Sequence, residues 1–297
     1  MSVTVGVIGL GPMGGNIAGN LLKNKFSVIG FDILPDRMAA LDELGLEKAA
    51  SVTEVAERAD VLISSLPNAG ALEIVVEGVL GHDKPGQILI ECSTLTIEQK
   101  LAAHEKVTAG GMVFLDSPIS ATPPMLAKMM ASIYVSGDES AYNSVQSVLK
   151  GFTATSFYVG DVGNGSRMKF LANYLVHVHV TAAAECIVMG QKAGLDPNLV
   201  YSVLKESAGS SKMFEIRGAM MAKSDYREGG GTMFAVYEKD ASVITEFAAS
   251  IQSPIDLYVS SRQKFNSAIA LGLDHLDTSA VCKAIETAAG IDRKLVE

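Results

Sequence analysis

Residues 3–9 (VTVGVIG) form the β-branched apolar run expected of a strand buried on both faces of a parallel sheet. A glycine-rich turn over residues 9–14 and a helical stretch to about residue 22 follow it. Residues 27–32 (SVIGFD) read as a second strand. The segment PDRMAALDELG then reads as a helix that Gly45 is placed to stop. Four more strand-like runs, at residues 61–66, 88–93, 113–116 and 133–136, alternate with helical or turn segments. This alternation predicts an α/β fold with a doubly wound parallel sheet. Beyond Gly165 the pattern changes. Residues 166–193 contain no proline and one glycine, which predicts a continuous helix about 42 Å long. The β-branched run at residues 176–181 weighs against that helix locally. The later segments PNLVYSVLKESA, MFAVYEKDASVITEFAAS and the chain past Pro254 are also helical in pattern. The expected division is therefore a sheet domain over residues 1–163 and an all-α domain over 164–297.

A length of 297 residues suits two domains, and 48% hydrophobic with 19% charged residues is ordinary globular usage. With 24 basic and 33 acidic residues the net charge is −9, which argues against a nucleic-acid or anionic-membrane surface. No basic segment precedes the early apolar stretch, and its glycines break it into strand, turn and helix. A soluble, cytoplasmic protein is expected. Cys92, Cys186 and Cys282 are odd in number and widely spaced, so neither a disulfide framework nor a metal site is expected.

The first glycines carry the candidate chemistry. In Gly9-Leu10-Gly11-Pro12-Met13-Gly14 the first glycine permits a tight turn after a strand. The second lets the backbone approach a pyrophosphate, and the third allows close helix–strand packing. The phosphates would sit at the start of the following helix. Asp32 lies 18 residues after Gly14 at the end of the next strand, where a carboxylate accepts hydrogen bonds from the adenosine ribose. Its charge would repel a 2′-phosphate, so the expected cofactor is NAD rather than NADP, on a Rossmann-type sheet.

The opening VIGLGPMG, with further segments in order, resembles the β-hydroxyacid dehydrogenase family, which includes 3-hydroxyisobutyrate, tartronate semialdehyde and threonate enzymes. Leu66-Pro67-Asn68 resembles the family's loop after the fourth strand. Glu91-Cys92-Ser93-Thr94 resembles its D-x-S-T segment near the nicotinamide. Residues 114–120 (FLDSPIS) resemble its substrate loop. Gly163-x-Gly165-x-x-x-Lys169-x-x-x-Asn173 resembles its catalytic segment, and Lys239-Asp240 its second-domain pair. The resemblance implies an NAD-dependent dehydrogenase of a small hydroxy acid, with substrate between the two domains. It implies Lys169 as general acid/base, and Asn173 and Ser120 on the substrate; Thr122, which stands where the family has glycine, is expected to donate to the substrate as well. It also implies Leu66, Pro67, Thr94 and Lys239 on the cofactor. The residues alone offer a weaker argument. Lys169 and Asn173, four apart, share a helix face, and a partly desolvated lysine can trade a proton with a substrate hydroxyl. His177, one turn further on, is a rival base, although an interior or interface position suits it better. Asp240 reads as a structural partner rather than a second base.

The chain departs from the family at the substrate loop. Ser-Gly-Gly is replaced by Ser120-Ala121-Thr122-Pro123-Pro124, whose prolines have no N–H to donate. The later glycine-containing part reads Leu126-Ala127-Lys128-Met129-Met130. An altered or bulkier substrate is expected. An imine reductase shares the architecture but would not want Asp32. 6-Phosphogluconate dehydrogenase shares the fingerprint but needs a longer second domain, and a non-catalytic NAD(H) sensor is the rival of another class. The long helix and its alanine-rich continuation suggest a homodimer or homotetramer.

Overall fold

The first apolar run is a central strand of a six-stranded parallel sheet in a computed structural model that describes residues 3–82, 84–227 and 233–295. The strands are β1 (Thr4–Ile8), β2 (Ser27–Phe31), β3 (Glu47–Lys48), β4 (Val61–Ser64), β5 (Ile88–Glu91) and β6 (Val113–Asp116). Their order is β3-β2-β1-β4-β5-β6, the doubly wound arrangement expected. The intervening helices are α1 (Gly14–Lys23), α2 (Pro35–Ala39), α3 (Val52–Arg58), α4 (Ala69–Val79) and α5 (Ile97–Ala109). A 3-10 turn after α2 ends at Gly45, which is left-handed at φ 89°. Successive residues of a strand point to opposite faces, so continuous apolar runs fill two cores. Val7, Ile63, Ile90 and Leu115 pack with Ile17 and Leu21 of α1. Ile8, Leu62, Leu89 and Phe114 pack on the other side with Val55, Val76 and Val107.

The strand expected at residues 133–136 is present but lies outside this sheet. It is β8 (Ser132–Val135), in a three-stranded sheet with β7 (Ile119–Ser120) and β9 (Thr155–Tyr158). After β6 the Ser117 N–H donates to the Glu91 carbonyl, and the chain turns away. It returns through the short helix α6 (Pro123–Ala127), so β8 pairs antiparallel with β7 and only then parallel with β9. Ser136, just beyond β8, meets the large sheet through an isolated antiparallel bridge to Asp116. Helices α7 (Glu139–Ser144) and α8 (Gln146–Lys150) precede β9.

Helix α9 (Asn164–Lys192) is unbroken for 29 residues, against an expected 166–193. Its β-branched stretch stays helical because Val178, Val180 and Thr181 are buried, tertiary packing outweighing local propensity. The chain folds as two compact units, Met1–Lys169 and Phe170–Glu297, so the first turns of α9 belong with the sheets. The second unit is helical: α10 (Pro197–Leu204), α11 (Lys212–Lys223), α12 (Met233–Ser250), α13 (Asp256–Ala270) and α14 (Val281–Ala288). Its core gathers Ile187, Phe214, Met221, Phe265 and Cys282. By length and composition α9 could cross a membrane, with a mean hydropathy of 1.3 in its most apolar window. Ala184 and Ile187, both fully buried in that core, show instead the core helix of a helical unit.

Helix α6 is followed, after its cap residue Lys128, by Met129, a non-glycine residue at φ 57°. An L side chain in the left-handed region is strained where glycine is not. Met129→Gly is therefore expected to stabilise the fold by about 0.5–1 kcal/mol. In a thermal melt against wild type this reads as a midpoint raised by about 1–3 °C.

Candidate active site

The glycine turn lies at the carboxyl end of β1, and its three glycines do different work. A Cβ on Gly9, at φ +83°, would sit 2.4 Å from the Ser65 carbonyl oxygen, and one on Gly14 would sit 1.8 Å from the Gly9 carbonyl oxygen. Both are glycine because the fold closes on itself there. A Cβ on Gly11 would meet nothing within 4 Å except the Arg37 guanidinium, and its φ is ordinary. No internal contact demands glycine at 11, so its value lies in letting a ligand approach the backbone. Met13, at the cap position of α1, makes no side-chain cap, which leaves the helix start suited to an anion. The carboxylate of Asp32, 3% exposed, stands at the end of β2. It accepts from the Leu10 N–H (2.7 Å) and the Leu34 N–H (2.8 Å). Leu66 (half-buried), Pro67 (exposed) and Thr94 (half-buried) follow the ends of β4 and β5, at the same edge of the sheet. Ser93 Oγ accepts from the Leu66 N–H at 2.8 Å and so ties those two loops together. A dinucleotide fits this edge: an open glycine, an uncapped helix and a buried carboxylate at the spacing that pyrophosphate and ribose require.

The start of α9 is fixed by a buried charge network. Asp116 accepts from the Ser166 N–H (2.8 Å) and the Ser166 hydroxyl (2.9 Å), while Ser136 Oγ accepts from the Gly165 N–H (2.9 Å). Gly165 must be glycine, since a Cβ there would lie 2.5 Å from the Asp116 carbonyl oxygen and 2.7 Å from that of Tyr134. Lys100 of α5 pairs with Asp116 at 3.1 Å and with Glu91, all three being completely buried. Burial alone would lower the Lys100 pKa, but the charges of Glu91 and then Asp116 outweigh it and hold it raised. Burial, with Glu91 beside it, pushes the Cys92 thiol up, so Cys92 is no nucleophile.

On α9, Lys169 and Asn173 are each about nine-tenths buried and four residues apart, hence on one face. Asn173 donates through Nδ2 to Asp240 Oδ2 of α12 at 2.7 Å. His177 is interior: its Nδ1 lies 2.8 Å from the Tyr258 hydroxyl, and its ring sits edge-on to Tyr237. Met213, Phe214, Met220 and Met221 pack in or against the core of the second unit.

Of the residues expected at the site, Gly9 to Gly14, Asp32, Leu66, Pro67 and Thr94 share one edge of the large sheet. Ser120 ends β7, and Thr122 heads α6 without capping it; both are half-buried. Lys239 is exposed on α12, next in sequence to buried Asp240. Sequence reasoning missed Lys100 and Arg37. Lys100 had a signal, for it falls on the apolar stripe Ile97, Ala103, Val107 of α5, where a lysine must be paired. Arg37 had none, since its partner Asp32 is reached around a turn. Among the described residues no group of three His, Cys, Asp or Glu side chains could hold a metal.

Family models cover both units. Residues 4–160 match the NAD binding domain of 6-phosphogluconate dehydrogenase. Residues 163–285 match a model described as NAD-binding of NADP-dependent 3-hydroxyisobutyrate dehydrogenase. The chain is 30% identical to 2-(hydroxymethyl)glutarate dehydrogenase of Eubacterium barkeri over 98% of this chain and 97% of that protein. It is 31% identical to L-threonate dehydrogenase of Cupriavidus necator, over 95% of this chain and 96% of that one. Its structure is similar to a crystal structure of 3-hydroxyisobutyrate dehydrogenase from Salmonella typhimurium. The TM-score is 0.82 at 29% identity, covering 95% of this chain and 99% of that one.

Removing the Lys100 charge would strand two buried carboxylates. Lys100→Met is expected to cost about 3–5 kcal/mol in denaturant titration. Because the folded-state pKa of Lys100 is raised above its ordinary 10.5, its share of stability is complete below that value. It is lost as pH climbs through the folded value, so wild-type stability is expected to fall on the alkaline side of about pH 10.5.

Proposed function

The chain belongs to the β-hydroxyacid dehydrogenase family, and on that premise we propose that it oxidises a small hydroxy acid, or reduces the matching carbonyl, with NAD as preferred cofactor. The observation that carries the reading is the pair of polar side chains, Lys169 and Asn173, kept buried on one helix face, Asn173 being anchored by Asp240. Burying a polar side chain costs free energy unless it is paired, and buried ionisable groups gather at functional sites, which supports a chemical role for this pair.

A nicotinamide held here would supply the hydride chemistry at the substrate's carbinol carbon. Lys169 would take the hydroxyl proton during oxidation and return it during reduction, so that proton and hydride transfer balance. Asn173 has a second amide hydrogen and a carbonyl oxygen with which to hold the substrate hydroxyl. Ser120 and Thr122 offer hydroxyls to the substrate's acid group. Pro123 and Pro124 have no N–H to give, which favours a substrate anchored by hydroxyls rather than by backbone. Gly9, Leu10, Gly11, Pro12, Met13 and Gly14 would hold the pyrophosphate, and Leu66, Pro67 and Thr94 the nicotinamide half; Lys239 of α12 is assigned to the cofactor by the family resemblance alone. Asp32 would accept from the ribose hydroxyls, and its negative charge would favour NAD over NADP. The protein works in the cytoplasm.

Lys169→Ala is expected to lower kcat by about 10²–10⁴-fold on a panel of hydroxy acids, followed at the reduced-nicotinamide absorbance band. NADH affinity should be unchanged in calorimetry. Tight NADH binding with no turnover by wild type on any of them would leave either a substrate outside the panel or the sensor reading.

We also propose a homodimer or homotetramer built on α9. Met168, Leu175, Ala182 and Met189 recur every seven residues along that helix and are all exposed, Met189 at 69%. Such a stripe in a 29-residue helix suits a partner helix. Light scattering is expected to give a dimer or tetramer for wild type and a smaller species for Met189→Glu.

A further inference from the structure

The Asp32 carboxylate is not a bare charge. Arg37, from the first turns of α2, places Nη1 3.2 Å from Asp32 Oδ2. The two side chains are unequally placed: Asp32 is 3% exposed and Arg37 is 44% exposed. What approaches from solvent meets the guanidinium first. The same Nη1 stands 3.5 Å from the position a Gly11 Cβ would take, beside the glycine whose openness no internal contact explains. One cation thus borders both the ribose carboxylate and the pyrophosphate turn.

Two of the carboxylate's acceptor sites are already used by the Leu10 and Leu34 N–H groups. With Arg37 on Oδ2 as well, the field that a 2′-phosphate would meet is that of an ion pair, not of a lone anion. A guanidinium presents a planar fork of donors that fits phosphate oxygens, and a half-exposed arginine can turn from one anion to the other. We infer that Arg37 is a specificity residue: it sets how strongly the protein prefers NAD, by giving the 2′-phosphate of NADP a cation to pair with beside Asp32. With NAD the guanidinium stays on Asp32 and holds the carboxylate toward the ribose hydroxyls. With NADP it moves to the phosphate. Arg37 is no part of the proton chemistry. The inference rests on the dinucleotide reading of this edge.

The test is equilibrium binding of NAD⁺ and NADP⁺ by isothermal titration calorimetry at low and high salt. The proteins are wild type, Arg37→Met and Arg37→Lys, each checked for an unchanged circular dichroism spectrum. Arg37→Met is expected to weaken NADP⁺ by about tenfold while moving NAD⁺ by less than about threefold. Wild-type NADP⁺ affinity should fall with salt more steeply than that of NAD⁺, and this excess should vanish in Arg37→Met. Arg37→Lys should retain part of the NADP⁺ affinity. An equal loss for both dinucleotides would show that Arg37 merely props the turn, and an unchanged ratio would likewise overturn the inference. If wild type binds neither dinucleotide, the cofactor reading itself falls, and this inference falls with it.

Discussion

Asp116 is the carboxylate on which the site depends. It ends the last strand of the large sheet, has no solvent contact, and accepts from the backbone and side chain of Ser166 at the head of α9. A helix start needs acceptors for its N–H groups, and a buried carboxylate needs donors. Each satisfies the other, and Lys100 supplies the charge that makes the burial tolerable. Ser136 adds a second acceptor, for Gly165, from the end of the small sheet. The first turn of α9 is therefore set by the ends of two sheets, and Lys169 lies three residues beyond the anchored Ser166. A side chain with the part proposed for Lys169 must be held within a fraction of an ångström, and a buried ionic clamp on a rigid element does that better than a loop.

The glycine turn shows the same economy at the other end of the chemistry. Gly9 and Gly14 are dictated by close backbone approach within the protein, whereas Gly11 is not. Only the difference among the three separates a tight turn from a cofactor cradle. The Asp32 side chain then couples the cradle to β2, because its carboxylate accepts from the Leu10 N–H inside the turn. The ribose recognition proposed for Asp32 and the geometry of the turn share one group, so a change at Asp32 is expected to alter both.

Much of this was legible in the chain because it is local. The GxGxxG turn, Asp32 at a strand end, the Lys169–Asn173 spacing and the helical second half all follow from short-range period and backbone freedom. The pairing of Asn173 with Asp240 was anticipated only in kind, as a structural role for the aspartate. The placement of residues 133–136 in a separate sheet was not legible. A strand's partners are chosen by where the preceding turn sends it, and period alone does not reveal that.

The sequence by itself determined the classes of element, the dinucleotide turn and the spacing of the candidate base, since each is encoded within about 20 residues. Only the tertiary structure decided which charges are neutralised and by what. Lys100 meets Glu91 and Asp116 across three elements, and Arg37 folds back onto Asp32. Electrostatic pairing depends on distance in space and on exclusion of water, and neither is written in the order of residues along a chain.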